Sequence, residues 1–176
     1  MSARDYEFTV SKDSTIPEGR ERAFKRMHSI LTHFPNGVPD RANCFLQSLI
    51  KGWVLSDVIG LGDADDIREL LPPRPSGGVI KAIPYGRGVH APEVEALTDE
   101  QVLDDWWFEV WMGIKNDLFF FQREGKEMPE RSVLAWLGFL CGELEGGGLK
   151  QAEHDKLRAL LPPVDDDLTP LVAAAQ

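Results

Sequence analysis

Apolar residues recur at three- and four-residue spacing along most of the chain, the period of helices rather than strands. Ser14-Thr15-Ile16-Pro17-Glu18 reads as a helix start, with a hydroxyl cap, an early proline and an acid in the first turn. The helix it opens carries Ala23, Phe24, Met27, Ile30 and Leu31 on one side and runs to about His33. Pro39-Asp40 restarts the chain as a helix that is apolar nearly all round, from Cys44 through Leu49 and Trp53 to Ile59. Gly60-Leu61-Gly62 breaks it. Asp63 or Asp65 can then cap a short helix ending at Leu71 and closed by Pro72-Pro73.

Residues 74–97 differ in kind, with prolines and glycines around one apolar run, Val79 to Ile83. This stretch reads as a connection that holds one short strand paired with residues 4–10. Thr98 and Gln101 then form a capping box for a helix reaching about Gln122. Pro129-Glu130-Arg131 opens the next helix, Gly146-Gly147-Gly148 breaks it, and residues 149–161 make a last short one. The tail from residue 164 reads as frayed or only lightly packed.

The same punctuation occurs twice. Shifted by about 90 residues, 38–73 falls on 128–163 without a gap, with nine identical pairs. Random pairing would give roughly two. Asp65-x-x-Arg68-x-Leu70-Leu71-Pro72-Pro73 meets Asp155-x-x-Arg158-x-Leu160-Leu161-Pro162-Pro163, and Gly52 meets Gly142. The helices before each unit, 18–34 and 99–122, share no register. The expected fold is all-α, with two pseudo-repeated three-helix units, 1–73 and 98–163, in one compact domain. An irregular connection, 74–97, joins them, and a tail, 164–176, follows. Arg41 with Arg131, and Arg68 with Arg158, recur and are expected to pin the ends of the units to nearby acids or carbonyls.

Charge changes the picture. The 176 residues carry a net charge of −10. Residues 38–71 hold three bases against six acids, and residues 96–127 three against eight. Such faces repel phosphates, which argues against direct nucleic-acid binding and for a basic protein partner. The N-terminus places charges where a leader peptide needs an apolar stretch, and no apolar run reaches membrane-spanning length, so a cytoplasmic protein is expected. Cys44 and Cys141 lie in apolar helical patterns and read as buried free thiols.

Catalytic patterns are weak. Asp63-Ala64-Asp65-Asp66 lacks the length and closing Glu of a calcium loop and reads as capping acids. None of His28, His33, His90 and His154 has the spacing of a zinc hydrolase. Tyr85-Gly86-Arg87-Gly88-Val89-His90 is glycine-rich but lacks the Lys-Ser/Thr of a phosphate loop. Neither metal nor cofactor is expected.

Seven aromatics fall within residues 106–121. Leu103, Trp107, Val110, Ile114, Leu118 and Phe121 form one stripe, while Trp106, Trp111, Phe119 and Phe120 stand partly off it. A helix buried on two sides explains this, as does an anchor patch for a partner. The functional expectation is a non-enzymatic inhibitor or adaptor that occupies a basic, nucleic-acid-binding protein. By class analogy, phage or plasmid anti-defence (anti-CRISPR-like) and immunity proteins act in this way. The residues expected at the contact are Asp63, Asp65, Asp66, Arg87, His90, Asp99, Asp104, Asp105, Trp106, Glu109, Trp111 and Phe120. The alternative is a small helical enzyme whose carboxylates and His converge between the two units.

Overall fold

The computed structural model describes residues 14–73, 91–97 and 106–175. Over these it is helical, and no strand occurs among the described residues. The expected strand pair, 4–10 with 79–83, and the capping box at Thr98 lie outside them. Eight helices follow in order: α1 Pro17–Leu31, α2 Asp40–Leu55, α3 Leu61–Arg68, α4 Pro92–Glu95, α5 Trp106–Arg123, α6 Glu130–Glu145, α7 Gln151–Arg158 and α8 Leu168–Ala174.

The frame is the pair α2 and α6. Their nearly all-round apolar sequences bury Phe45, Leu46, Leu49, Ile50 and Trp53 on one helix and Val133 to Leu137, Phe139 and Leu140 on the other. The two run parallel: Arg41 meets Glu130 at one end, Gly52 meets Gly142 further along, and Ser56 meets Gly146 at the other end. Ser48-x-x-x-Gly52 and Gly138-x-x-x-Gly142 are small residues one turn apart, and they let the backbones touch. A Cβ on Gly142 would come within 2.4 Å of the Leu49 carbonyl oxygen, and one on Gly52 within 2.6 Å of that of Phe139.

Each central helix is followed by a short one folded back on it, α3 on α2 and α7 on α6. The breaks are alike. The amides of Val58 and Ile59 both reach the Trp53 carbonyl, and those of Gly148 and Leu149 both reach that of Glu143. Asp57 sits at φ 60° in the first break and Gly147 at φ 79° in the second. The left-handed region suits glycine and is only tolerated by Asp. The short helices cap themselves from their third residue: the amide of Gly60 donates to Asp63 Oδ2 (2.9 Å) and that of Lys150 to Glu153 Oε1 (2.8 Å). α1 lies against α3, and α5 against α7.

Four local expectations change. Helix α2 stops at Leu55 rather than Ile59, because the chain turns into the left-handed region at Asp57, ahead of Gly60. Ile16, not Ser14 or Thr15, occupies the N-cap position of α1. Ser14 serves α3 instead: its hydroxyl accepts the Leu61 amide (3.1 Å) and its carbonyl the Gly62 amide (2.9 Å). The connection contains α4, whose Val94 is fully buried with Ala91 and Met112. The tail packs lightly rather than fraying: Leu168 and Val172, one turn apart, bury themselves on the core and the segment forms α8, which the sequence did not show. Asp166 starts that helix by accepting the Thr169 amide (2.9 Å) and pairs with Arg158. One apolar cluster spans α1, α2, α3, α5, α6, α7 and α8.

Candidate functional site

The acids of the first short helix divide by face. Asp63 has no exposed side-chain surface. Its carboxylate accepts the Ile16 amide (2.7 Å), the Gly60 amide (2.9 Å) and Arg20 Nη1 (3.2 Å). It therefore joins the start of α1 to the start of α3, and it presents nothing to a partner. Asp65 and Asp66 point outward. Asp66 also accepts Arg20 Nη1 (2.6 Å), and Asp65 lies 3.7 Å from Arg68. The bonds to Asp66 first, then Asp63, raise the Arg20 pKa and hold the guanidinium charged. Glu69, the C-cap of α3, is exposed beside them.

The aromatic residues of α5 are mostly in use. Trp106 is half-buried, and its indole N–H donates to Oε2 of the buried Glu143 (2.8 Å). Trp107 stacks on Phe108 at 4.3 Å between centroids. Trp111 packs against both apolar clusters, with Lys115 Nζ 5.6 Å from its ring. Phe119 packs on the small cluster under α4. Glu109 is half-buried. Phe120, at 38% exposure, is the large hydrophobic that faces outward among the described residues. Of the expected anchor patch, Trp106 and Trp111 are thus packed into the molecule, and Phe120 stands out from it. Arg87, His90, Asp99, Asp104 and Asp105 lie outside the described residues.

A buried polar set on α5 escaped the apolar pattern. Asn116 Oδ1 accepts the Ala91 amide (2.8 Å) and so holds α4. Asp117 Oδ2 accepts the indole N–H of Trp136 (2.9 Å), tying α5 to α6. Desolvation pushes the Asp117 carboxyl up to about 6, opposed by the Trp136 hydrogen bond and the charge of Lys51. The signal in the sequence was a polar pair, Asn116-Asp117, inside an otherwise apolar helix.

At the four arginines the structure makes specific ion pairs. Arg41 binds Glu130 (2.9 Å), Asp167 (3.1 Å) and the Asp165 carbonyl (2.5 Å). Arg131 lies 3.8 Å from Asp40. Burial raises the pKa of both free thiols, that of Cys141 to about 11.

No group of three or more His, Cys, Asp or Glu able to hold a metal occurs among the described residues. His28 on α1 and His33 just beyond its end are exposed, whereas His154 is buried with Nδ1 3.1 Å from Asp155. That bond is the main cause of a lowered Asp155 pKa. The middle of the α2–α6 contact is closed by backbone against backbone. No helix among the described residues is long and apolar enough to cross a membrane. No family model, curated protein or solved structure matches the chain.

Proposed function

We propose that the protein acts by binding a basic protein partner, as an inhibitor or adaptor rather than an enzyme. The observation that carries this reading is the outward acidic face of α3, Asp65, Asp66 and Glu69, on a chain of net charge −10. Carboxylates fixed on a short rigid helix can imitate the phosphates that a nucleic-acid-binding groove is built to receive. Phe120 supplies exposed apolar area that would sustain binding as salt rises. The test is capture from a lysate of the protein's own source at low and moderate salt, with an Asp65→Lys/Glu69→Lys variant beside the wild type. Asp66 is left alone because it holds Arg20. A stoichiometric basic protein, weakened by salt and lost from the variant, supports the reading. Absence of any basic partner at low salt sinks it.

We infer that the architecture behind this surface is one three-helix unit used twice, α1–α3 and α5–α7. Four observations support it. Helices α2 and α6 lie 90 residues apart at both ends, as do α3 and α7. Contacts between the halves are reciprocal: Arg41 with Glu130 is matched by Arg131 with Asp40, and Gly52 on Phe139 by Gly142 on Leu49. The left-handed residues, Asp57 and Gly147, are mates in the same frame. The outer helices join it at a different shift, since Val110, Ile114, Leu118 and Phe121 lie 87 residues beyond Ala23, Met27, Leu31 and Phe34. Three more residues separate Phe121 from Pro129 than separate Phe34 from Pro39, which accounts for the missing register. Such reciprocity is the mark of a two-fold, isologous contact, here within one chain.

A further inference from the structure

A cavity of about 230 Å³ opens between α1 and the ends of α2 and α6, lined by Arg22, Ala23, Arg26, Trp53, Val58 and Glu145. Its charges are unequally committed. Arg26 uses Nη2 twice, on Glu145 Oε1 and on the Val172 carbonyl (2.5 Å). The second oxygen of Glu145 accepts the indole N–H of Trp53 (2.8 Å). The carboxylate is therefore met by a guanidinium and an indole, and its charge is balanced by Arg26. Nη1 of Arg26 is buried with no acceptor among the described residues. A buried charged donor left in that condition is costly, and native proteins nearly always supply it with an acceptor. Arg22, exposed at the same rim, adds a second positive charge. The lining carries two guanidinium groups against one carboxylate, a local excess of positive charge in a strongly acidic chain. Glu109 and Gly113 stand 87 residues beyond Arg22 and Arg26, so α5 offers no such pair.

We propose that this cavity binds a small oxyanion, the phosphate or carboxylate head of a small molecule. Arg22 would grip it at the rim, and a small rotation of Arg26 would bring Nη1 onto it. Paired guanidinium forks suit such groups, because they offer parallel N–H donors at the spacing of two oxygens. The volume lies below the roughly 300–1,000 Å³ of sites for drug-sized ligands, so a head group or a very small metabolite fits. The proposal stands apart from the protein-partner reading, since neither Asp65 nor Phe120 takes part in it.

The experiment is a titration of the full chain with inorganic phosphate, and in parallel with acetate, chloride being exchanged to hold ionic strength constant. The indole N–H resonance of Trp53, assigned with a Trp53→Phe variant, reports the cavity directly, and that of Trp136 serves as an internal control. A saturable shift at Trp53 but not Trp136, with a rise in melting temperature, is expected from at least one anion. Tighter binding of phosphate identifies a phosphorylated ligand, and equal or tighter binding of acetate a carboxylate. Arg22→Ala should weaken binding about tenfold or more, with an unchanged melting temperature in chloride, and Arg22→Lys should restore part of it. The proposal is overturned if neither anion gives a saturable Trp53 shift, or if Arg22→Ala binds as well as wild type.

Discussion

Asp63 and Asp65 stand two positions apart in one acidic run and face opposite ways. Asp63 accepts two backbone amides and a guanidinium, while Asp65 is largely in water. Replacing Asp63 with Ala leaves the Ile16 and Gly60 amides without acceptors and should cost about 2–4 kcal/mol in urea unfolding. Asp65→Ala should cost about 0.5 kcal/mol or less, because its ion pair is exposed. Equal losses would refute the division. Nothing within the run distinguishes these two acids. The choice is made by the start of α1, 47 positions away from Asp63, so the site's charge was legible in the sequence and its facing was not. Asp117 carries a second prediction. Its carboxyl titrates near 6 when folded, against an ordinary value of 3.8. Between these values the folded form holds a proton that the unfolded chain has released. The stability this provides is complete below about pH 4 and is lost as pH rises through 6, a change of order 2–3 kcal/mol. Asp117→Asn, which still accepts the Trp136 N–H, should flatten that part of the curve. Identical pH profiles for the two proteins between pH 4.5 and 7.5 would show that Asp117 is not its source.

Helices α2 and α6 meet through glycine rather than through interdigitated side chains, and that makes the seam intolerant. An added methyl at Gly142 falls on the Leu49 carbonyl and the Gly52 Cα, both backbone, so no rotamer change can make room. Gly142→Ala should destabilise by about 3 kcal/mol, although alanine favours helix over glycine by roughly 1 kcal/mol. A variant as stable as wild type would mean the helices can part there freely. The break after α2 offers the converse. Asp57 holds φ 60° where its mate is Gly147. Asp57→Gly should leave stability equal or slightly higher, and Asp57→Val should lower it by about 1–2 kcal/mol. The starts of α2 and α6 were readable because Pro39 and Pro129 act locally, whereas α2 stops at Leu55, four residues before the expected Ile59, and α3 at Arg68 rather than Leu71. The last helix, α8, was not readable, because Leu168 and Val172 become a helix face only once α6 provides something to cover.

On the scale of the molecule, the α2–α6 contact denies each half of the chain an independent life. The main apolar cluster runs through both halves, with Met27 and Ile67 from α1 and α3 and Ile114 and Leu157 from α5 and α7. The central helices are parallel and far apart in sequence, so the seam forms only when the long intervening chain has closed, and neither half can bury its inner face before then. The protein should therefore unfold in one step. Trp53 lies on α2, and Trp106, Trp107, Trp111 and Trp136 lie on α5 and α6, so the two halves of the chain can be watched separately. Urea transitions followed through Trp53 in a variant lacking the other four, and through those four in Trp53→Phe, should each coincide with the loss of helical circular dichroism. Amide exchange should give α2 and α6 the same highest protection, with α8 exchanging sooner because it rests on the core through two buried side chains. Two separated transitions, or a protected α6 beside a freely exchanging α2, would mean that the glycine seam holds two autonomous bodies together. The acidic face of α3 would then be carried by a module able to move on its own, rather than set at a fixed angle by the whole molecule.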